Sequence, residues 1–442
     1  MSIILTKKIW IFPSREQEAV LLDLSEKCRL IYNFALAERK WNWEENRDKP
    51  EDDRRYITYN KQQNDLPKIK KKYPEYQWNY SKVYQMTLHK LNDAFTSFFA
   101  LRANGDDAAM PPRFRGKHHF MALCYNQSGF KLDLQSRTLS FSHKHPSKIR
   151  LKFDLPWLPD DIDKFTKIKQ VEIVRDDMKH YFICIQIEKE DKRSYIDNAL
   201  YQAIDLGISN IATTVNINGE FVQISNRRVD LYWKKKKEEV QSRRDHCISR
   251  SNKWHFYNDK LKAQERKLAY QLKDFQHYVS KKIVKNTRAN TIIIGDLGVK
   301  DMARKKKTTG NPCENKAMRT LHHSLQCTGS MGRFARFLTY KAAMVGKRVI
   351  EIDESFTSKV CYNCGRIEKR KLSERTIKCD CGIIIDRDKN SAINIMLRFL
   401  SQKPLMNREL ARKFLDGLHR HTAPRVVEAA VDPMEAPPFL TG

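Results

Sequence analysis

Residues 4–12, I-L-T-K-K-I-W-I-F, alternate closely enough to predict a first strand. Pro13-Ser14 then opens a helix with Ser14 as its N-cap, and Val20, Leu21, Leu24, Cys28, Ile31, Phe34 and Leu36 recur at helical spacing. A polar, Asp- and Lys-rich stretch over 46–74 reads as short helices or loops. Residues 80–102 predict the next helix, with Val83, Leu88, Leu91, Phe95, Phe98 and Phe99 on one face and Lys82, Gln85 and His89 on the other. Segment 14–103 therefore reads as a helical lobe inserted after the first strand. Pro111-Pro112 ends the helices, and Arg113, Arg115 and Lys117 follow. Short alternating runs at 119–125, 129–133, 138–142, 148–153, 168–175 and 180–188 predict a small β-barrel or sandwich that the first strand would join. The charged segment 189–198 reads as a domain linker.

From residue 201 the pattern changes. A-I-D-L-G-I-S-N-I-A-T-T-V-N-I-N-G-E-F-V-Q-I is a strand, a hairpin with an Asn218-Gly219 turn, and a return strand. Residues 231–286 form one or two strongly basic helices, with lysines at 234–237 and the pairs Arg243-Arg244 and Lys281-Lys282. A buried strand at 291–295, a basic breaker-rich loop at 305–312, a helix at 334–346 and a strand at 348–353 complete an α/β unit with a mixed sheet. Periodicity fades past Leu400, and the segment 401–442, rich in Pro, Ala and Glu from Thr422, is expected to be largely disordered.

Charge changes this picture. The 442 residues carry 83 Lys+Arg against 53 Asp+Glu, a net charge of +30. Such an imbalance implies a polyanionic partner, because each phosphate neutralised releases condensed counterions; the alternative is a solvated basic surface with no partner. Mean hydropathy is −0.67 and no apolar run reaches the ~18 residues a membrane span needs. The N-terminus lacks the features of a secretory signal, and no Lys-rich amphipathic helix stands apart as a membrane-surface anchor. Of ten cysteines, four cluster at Cys361, Cys364, Cys379 and Cys381 and six are scattered, which is no disulfide framework and suits a reducing compartment.

The four cysteines are C-x₂-C, fourteen residues, then C-x-C, which puts four thiolates on two turns and matches a closed, structural, tetrahedral Zn²⁺ site. Asp205 lies inside the apolar A-I-D-L-G, where an unpaired carboxylate is costly unless it binds a cation or caps a turn, and Gly207 permits close approach to the strand. Asp386 and Asp388 stand at another apolar strand end, where either could cap the helix that follows. Phosphodiester hydrolysis requires two Mg²⁺ ions about 4 Å apart, held by three or four carboxylates, and the ends of neighbouring strands in an α/β sheet meet that need.

A-I-D-L-G-I, T-S-K-V-C-Y-N-C-G with its second cysteine pair, and D-R-D-K-N-S-A-I-N-I together resemble the TnpB family of transposon-encoded RNA-guided nucleases. The Fanzors and the type V CRISPR effectors are relatives of that family, and the likeness spans about residues 4 to 400. The resemblance implies a RuvC (RNase H-like) nuclease domain at 201–355 and 383–400, with a zinc-binding insert at 356–382. It also implies a wedge β-barrel at 1–13 and 104–190 carrying a helical recognition lobe at 14–103, followed by a linker at 191–200. Its implied cofactors are two catalytic Mg²⁺ and one structural Zn²⁺; its implied partners are a guide RNA from the element end and double-stranded target DNA, with one protein per RNA and no membrane. Localisation would be cytoplasmic or nucleoid in a prokaryote and nuclear for a Fanzor.

One departure matters. The family's middle acidic residue follows the central strand as I-E-D-L, whereas this chain reads Ile294-Gly295-Asp296-Leu297. Either the enzyme is dead and only binds DNA under RNA guidance, or Glu354 reaches the site from the next strand, as in some Fanzors, across about one strand spacing of roughly 5 Å. The second reading is preferred. The expected catalytic and magnesium-binding set is Asp205, Glu354 and Asp388, with Asp386 as the fallback for Asp388; the implied mechanism would be in-line attack of water on the phosphodiester, with Asp205 expected to bridge both ions. Lys82, Gln85 and His89 are expected at the target-adjacent duplex, since Gln pairs bidentately with adenine and Lys anchors phosphate; the alternative is an ordinary solvated face. Arg113, Arg115, Lys117 and the basic helices would hold the guide–target heteroduplex by charge and shape. The competing functions are an RNA-guided binder that does not cut and acts as a repressor, and a zinc-ribbon DNA-binding protein without RNA.

Overall fold

Ser14 closes a capping box: its side chain accepts the Gln17 N–H at 3.1 Å while Gln17 Oε1 takes the Ser14 N–H at 3.0 Å. A single helix, α1 (Arg15–Arg47), runs from there, behind β1 (Ser2–Ile11). This computed structural model describes residues 2–158, 162, 163, 166–190, 195–296, 331–368, 374–402 and 407–420, so the expected basic loop at 305–312 and the chain beyond 420 lie outside the described residues. The chain divides into two compact units, Met1–Glu190 and Asp191–Gly442.

The first unit continues through α2 (Tyr59–Lys72), α3 (Ser81–Ala103), β2 (Leu123–Asn126), β3 (Phe130–Asp133), β4 (Thr138–Phe141), β5 (Leu151–Asp154), β6 (Lys167–Arg175) and β7 (Tyr181–Glu190). Two expectations need correction. Among the described residues the strands do not close a barrel; they form two antiparallel sheets, β1-β7-β6-β2 and β3-β4-β5. The helices are also not a separate lobe with a core of their own. Val20, Leu24 and Tyr32 of α1 and Val83, Leu88 and Leu91 of α3 share one continuous core with Ile9, Leu123, Val171 and Ile183 of the sheet. An apolar stripe on a helix is stable only when covered, and here the inner face of the sheet covers it.

The second unit is built on β8 (Tyr201–Asp205), β9 (Asn210–Asn216), β10 (Phe221–Ser225), β11 (Thr291–Asp296) and β12 (Arg348–Asp353), in the order β10-β9-β8-β11-β12. β8, β9 and β10 pair antiparallel; β8, β11 and β12 pair parallel. Its helices are α4 (Val229–Asp245), α5 (Asn252–Asn286), α6 (Met331–Ala343), α7 (Arg387–Ser401) and α8 (Asn407–Arg420), and a hairpin of β13 (Thr376–Lys378) and β14 (Ile384–Asp386) leads into α7. Side chains alternate across the sheet. Ala203, Val215, Ile293 and Ile352 face α7 through Ile393, Met396 and Phe399. Ile204, Ala212, Ile292 and Ile294 face Phe275 and Val279 of α5 and Phe334 and Leu338 of α6. β11, covered on both faces, is accordingly the unbroken apolar run T-I-I-I-G.

The C-terminal segment also needs correction. Its residues 407–420 form α8, whose Phe414 is fully buried against the α7 face of the core. Leu410, Phe414, Leu415 and Leu418 recur at helical spacing, a signal that the sequence does contain. Gly417 lies against the Asn218-Gly219 turn, where a Cβ on Gly219 would come 2.7 Å from the Gly417 backbone. Replacing Phe414 with Ala is expected to destabilise this unit by about 3 kcal/mol, the cost of a cavity at a fully buried aromatic. Denaturant unfolding measures it, and a loss below about 1 kcal/mol would show that α8 adds little to the core.

Candidate active site

The register of the second sheet collects one row of side chains on the α7 face. Gln223 pairs with Thr213, and Thr213 with Asp205. Ile204 pairs with Ile294, which brings Asp205 beside Gly295, and Gly295 pairs with Ile352. The strand adjacency on which the Glu354 expectation depends is therefore present. Gly295 has a physical reason to be glycine: a Cβ there would land on the Glu354 carboxyl group and lie 2.8 Å from the Glu354 Cβ. Glu354 thus leaves the edge strand and folds back over the gap that Gly295 provides.

Asp388 reaches the row from above. Asp386 is the N-cap of α7 and accepts the N–H groups of Asp388 and Lys389 at 3.0 and 3.2 Å, while Gln223 Nε2 donates to it at 3.2 Å. Its Oδ1 is engaged in capping, whereas Asp388, one position into the first turn of α7, is directed toward β8. Asn210 Nδ2 donates to Asp388 Oδ2 at 3.1 Å and Arg375 Nη1 to Oδ1 at 3.3 Å. A Cβ on Gly207 would meet the Asn210 carbonyl at 2.8 Å and Asp388 Oδ2 at 3.9 Å, so the close approach that Gly207 permits is that of these two groups.

The electrostatics follow from this crowding. Burial first, then Asp388 and Glu354, push the Asp205 carboxyl well above its ordinary range, against the pull of Arg387. Burial, then Asp296 and Asp353, raise Glu354 to about 7. The Thr213 hydroxyl, across the ladder from Asp205, is buried and, among the described residues, without a hydrogen-bond partner. Clustered acids that hold their protons, beside an unsatisfied hydroxyl, are groups that a divalent cation would satisfy. Among the described residues, only the four cysteines bring three or more metal-ligating atoms within 4.8 Å of one another. The carboxylates stand farther apart than one shared ion requires, and a two-ion arrangement tolerates that spread.

The cysteines form a closed set. Cys361 and Cys381 lie 3.7 Å apart at sulfur, and Cys364 and Cys379 lie 3.5 Å apart. Zn–S bonds of about 2.3 Å in a tetrahedron place thiolates about 3.8 Å apart, so the four could hold one zinc ion. Each knuckle turns on a left-handed glycine, Gly365 at φ +75° and Gly382 at φ +87°. The second knuckle is the tip of the β13–β14 hairpin, whose return strand ends on Asp386. The first is tied to α7 by two amides one helical turn apart: Asn390 and Asn394 both donate to the carbonyls of Thr357 and Val360 at 2.7–3.2 Å, and Asn390 Oδ1 accepts the Tyr362 N–H at 3.1 Å.

In the first unit, Lys82 and His89 are exposed on α3 with Gln85 half-buried between them, and His89 contacts Asp93 at 2.9 Å. Arg113, Arg115 and Lys117 are exposed, and the Arg115 backbone is fixed to Asn33 of α1. Sequence reasoning did not select Asn210, Gln223, Arg375, Asn390 or Asn394. The two buried asparagines were the detectable ones, because an amide on an apolar helix face must find partners. It also did not select a basic groove of about 840 Å³ beside β4 and β5, lined by Lys131, His143, Lys144, Lys148, Arg150 and Lys152.

A pH dependence follows from the raised acids. Glu354 binds its proton more tightly folded than unfolded, so it stabilises the fold below pH ~4.5 and that contribution is lost as pH rises through about 7. Without magnesium, thermal stability is expected to fall between pH 5 and 8 as this group ionises. Glu354→Gln should raise the melting temperature at pH 8 and change it little at pH 5. Adding Mg²⁺ at pH 8 should stabilise the wild type and leave the variant nearly unaffected. Equal melting shifts for Glu354→Gln at both pH values would rule out the buried repulsion.

Comparison with known proteins now adds to the geometry. Residues 332–395 match the family described as Cas12f1-like, TNB domain; residues 182–306 match one described as a probable transposase; residues 1–48 match its helix-turn-helix domain. In this structure the last segment is a strand and one continuous helix, with no turn between two helices. "Putative RNA-guided DNA endonuclease InsQ" of Escherichia coli (strain K12) is 27% identical over 397 residues, covering 88% of this chain and 90% of the relative. A protein of Streptomyces pristinaespiralis, described in the same words without the name InsQ, is 26% identical over 394 residues, covering 87% of each. A Cas12f1–sgRNA–target DNA complex shares the fold at a TM-score of 0.59 and 12% identity, over 89% of this chain and 98% of that one. In sequence, nearly end to end, this chain is similar to proteins described as RNA-guided DNA endonucleases, and in fold to a Cas12f1 chain.

Proposed function

We propose that this protein is an RNA-guided DNA endonuclease of transposon type that cuts target DNA beside a short target-adjacent motif. The observation that carries the reading is Glu354 folded over Gly295 beside Asp205, which returns an acid to the place where the family pattern I-E-D-L would put it. A chain that had merely lost its middle acid would have no reason to bury another there at an electrostatic cost. The relatives' description as RNA-guided DNA endonucleases and the net charge of +30 support the same reading.

In this reading residues 201–355 and 383–400 are a RuvC-type (RNase H-like) domain with a zinc-binding insert at 356–382, and 1–190 is the wedge with its helical segment. Asp205, Glu354 and Asp388 would hold two magnesium ions, which when bound supply charge neutralisation at the phosphodiester and a water nucleophile at neutral pH. Asp205 and Glu354 must give up protons for this, so cation binding and deprotonation are coupled. Asn210 fixes the Asp388 carboxylate, and Asp386 holds the helix start from which Asp388 projects. Cys361, Cys364, Cys379 and Cys381 would hold one zinc ion that shapes the hairpin ending on Asp386. Lys82, Gln85 and His89 would face the target-adjacent duplex, with Arg113, Arg115, Lys117 and the groove beside β4 and β5 along nucleic-acid backbone. The guide would come from the element end, with one protein per RNA.

The test is cutting of a matched duplex by protein purified with its own RNA. Asp205→Ala and Glu354→Gln are each expected to lower the cutting rate on the order of 10³-fold while guided binding persists. A wild type that binds its target and leaves it intact in Mg²⁺ would sink the nuclease reading. For the knuckle, elemental analysis should find one zinc per wild-type chain and essentially none after Cys379→Ser. Full zinc retention in that variant would remove Cys379 from the ligand set.

A further inference from the structure

Glu354 is delivered by the last strand of the sheet, and among the described residues no further strand steadies the turn that carries it. We propose that Arg398 is the positioning residue for Glu354, gripping the peptide groups on either side of it. Nη1 of Arg398 donates to the Asp353 carbonyl at 2.5 Å and to Asp353 Oδ2 at 3.3 Å, and Nη2 donates to the Ser355 carbonyl at 2.8 Å. The carbonyl between them, that of Glu354, accepts from the Thr357 N–H at 3.0 Å and its hydroxyl at 2.9 Å. Three consecutive carbonyls are thereby fixed. Asp353 Oδ1 tightens the turn further by accepting the Ser355 N–H at 2.9 Å and hydroxyl at 2.6 Å.

The backbone after this grip is strained. Phe356 sits at φ +67°, a left-handed conformation that costs a side-chain-bearing residue about 1–2 kcal/mol, and the residue is 57% exposed, so its burial contributes little to holding it there. A strained turn persists where the surroundings over-determine it, and here the surroundings are Arg398 and Thr357. The guanidinium suits the task because its planar fork serves two carbonyls at once.

Arg398 also completes a series. Asn390, Asn394 and Arg398 stand at i, i+4 and i+8 of α7, on one stripe. The first two secure the carbonyls of Thr357 and Val360, and the third those of Asp353 and Ser355. The same helix begins with Asp388. The placement of Glu354 relative to Asp388 is therefore set along one rigid helix as well as through the sheet. This inference rests on the endonuclease reading for its consequence; among the described residues the Arg398 guanidinium hydrogen-bonds only to the turn.

The experiment compares guide-loaded wild type, Arg398→Ala and Arg398→Lys, with Glu354→Gln as the marker of the site. Mn²⁺ titration followed by electron paramagnetic resonance reads cation affinity without any need for cutting. Arg398→Ala is expected to weaken the Mn²⁺ binding that Glu354→Gln abolishes by about 10-fold, and to raise the Mg²⁺ needed for half-maximal cutting by about the same factor. Arg398→Lys should lie between, at about 3-fold, because one ammonium serves one carbonyl well. Guided target binding, zinc content and melting temperature should stay at wild-type values. Unchanged Mn²⁺ affinity in Arg398→Ala would overturn the proposal, and so would parallel losses of zinc, target binding and thermal stability. If the wild type binds Mn²⁺ at this site and never cuts, the endonuclease reading fails, and the Mn²⁺ titration still decides on Arg398.

Discussion

Acidic side chains pressed together on the covered face of a sheet are the constraint to which the second unit answers. Asp205 lies in a row between Thr213 and Gly295, with Glu354 and Asp388 folded toward it, and each neighbour makes its ionisation harder. Like charges in a poorly hydrated place repel strongly, so Asp205 and Glu354 ionise reluctantly until a cation offsets their charge. A fold selected for stability alone would place apolar side chains there, as it does one residue away at Ile204 and Ile294.

The surroundings hold this repulsion in place. The sheet is sealed on one face by α5 and α6 and on the other by α7 and α8, so its strand ends have little freedom to spread. α7 bears on the row directly. Its cap residue accepts two backbone N–H groups, its first turn offers Asp388, and its buried amides secure the loop of the first cysteine knuckle. The second knuckle shapes the hairpin that leads into the same cap. Cysteine sulfur and acidic oxygen are thus coupled through a few residues of backbone.

Much of this was legible in the residues. The buried strand T-I-I-I-G, the capping box at Ser14, the helix at 80–102 and the cysteine spacing each depend on short-range rules, and the structure follows them. The adjacency of 291–296 and 348–353 could be reasoned from α/β connectivity. What was not legible depends on contacts between distant segments. No local rule separates Asp386 from Asp388, because both are good caps; only the packing of α7 over β8 makes one the cap and leaves the other facing the row. Nor does the sequence show that α1 and α3 share a core with the sheet, since an apolar stripe does not name its partner. α8 was missed for a different reason: its leucine and phenylalanine spacing was present, but it follows a breaker and precedes a Pro- and Ala-rich stretch that diverts attention from it.

The steric relation between positions 295 and 354 has a consequence for descent. Any side chain at 295 would intrude on the space that the glutamate at 354 occupies, so the two acids cannot both be housed in this packing. A chain with neither would leave Asp205 short of a partner. In descent, a side chain gained at 295 therefore demands a matching change at 354.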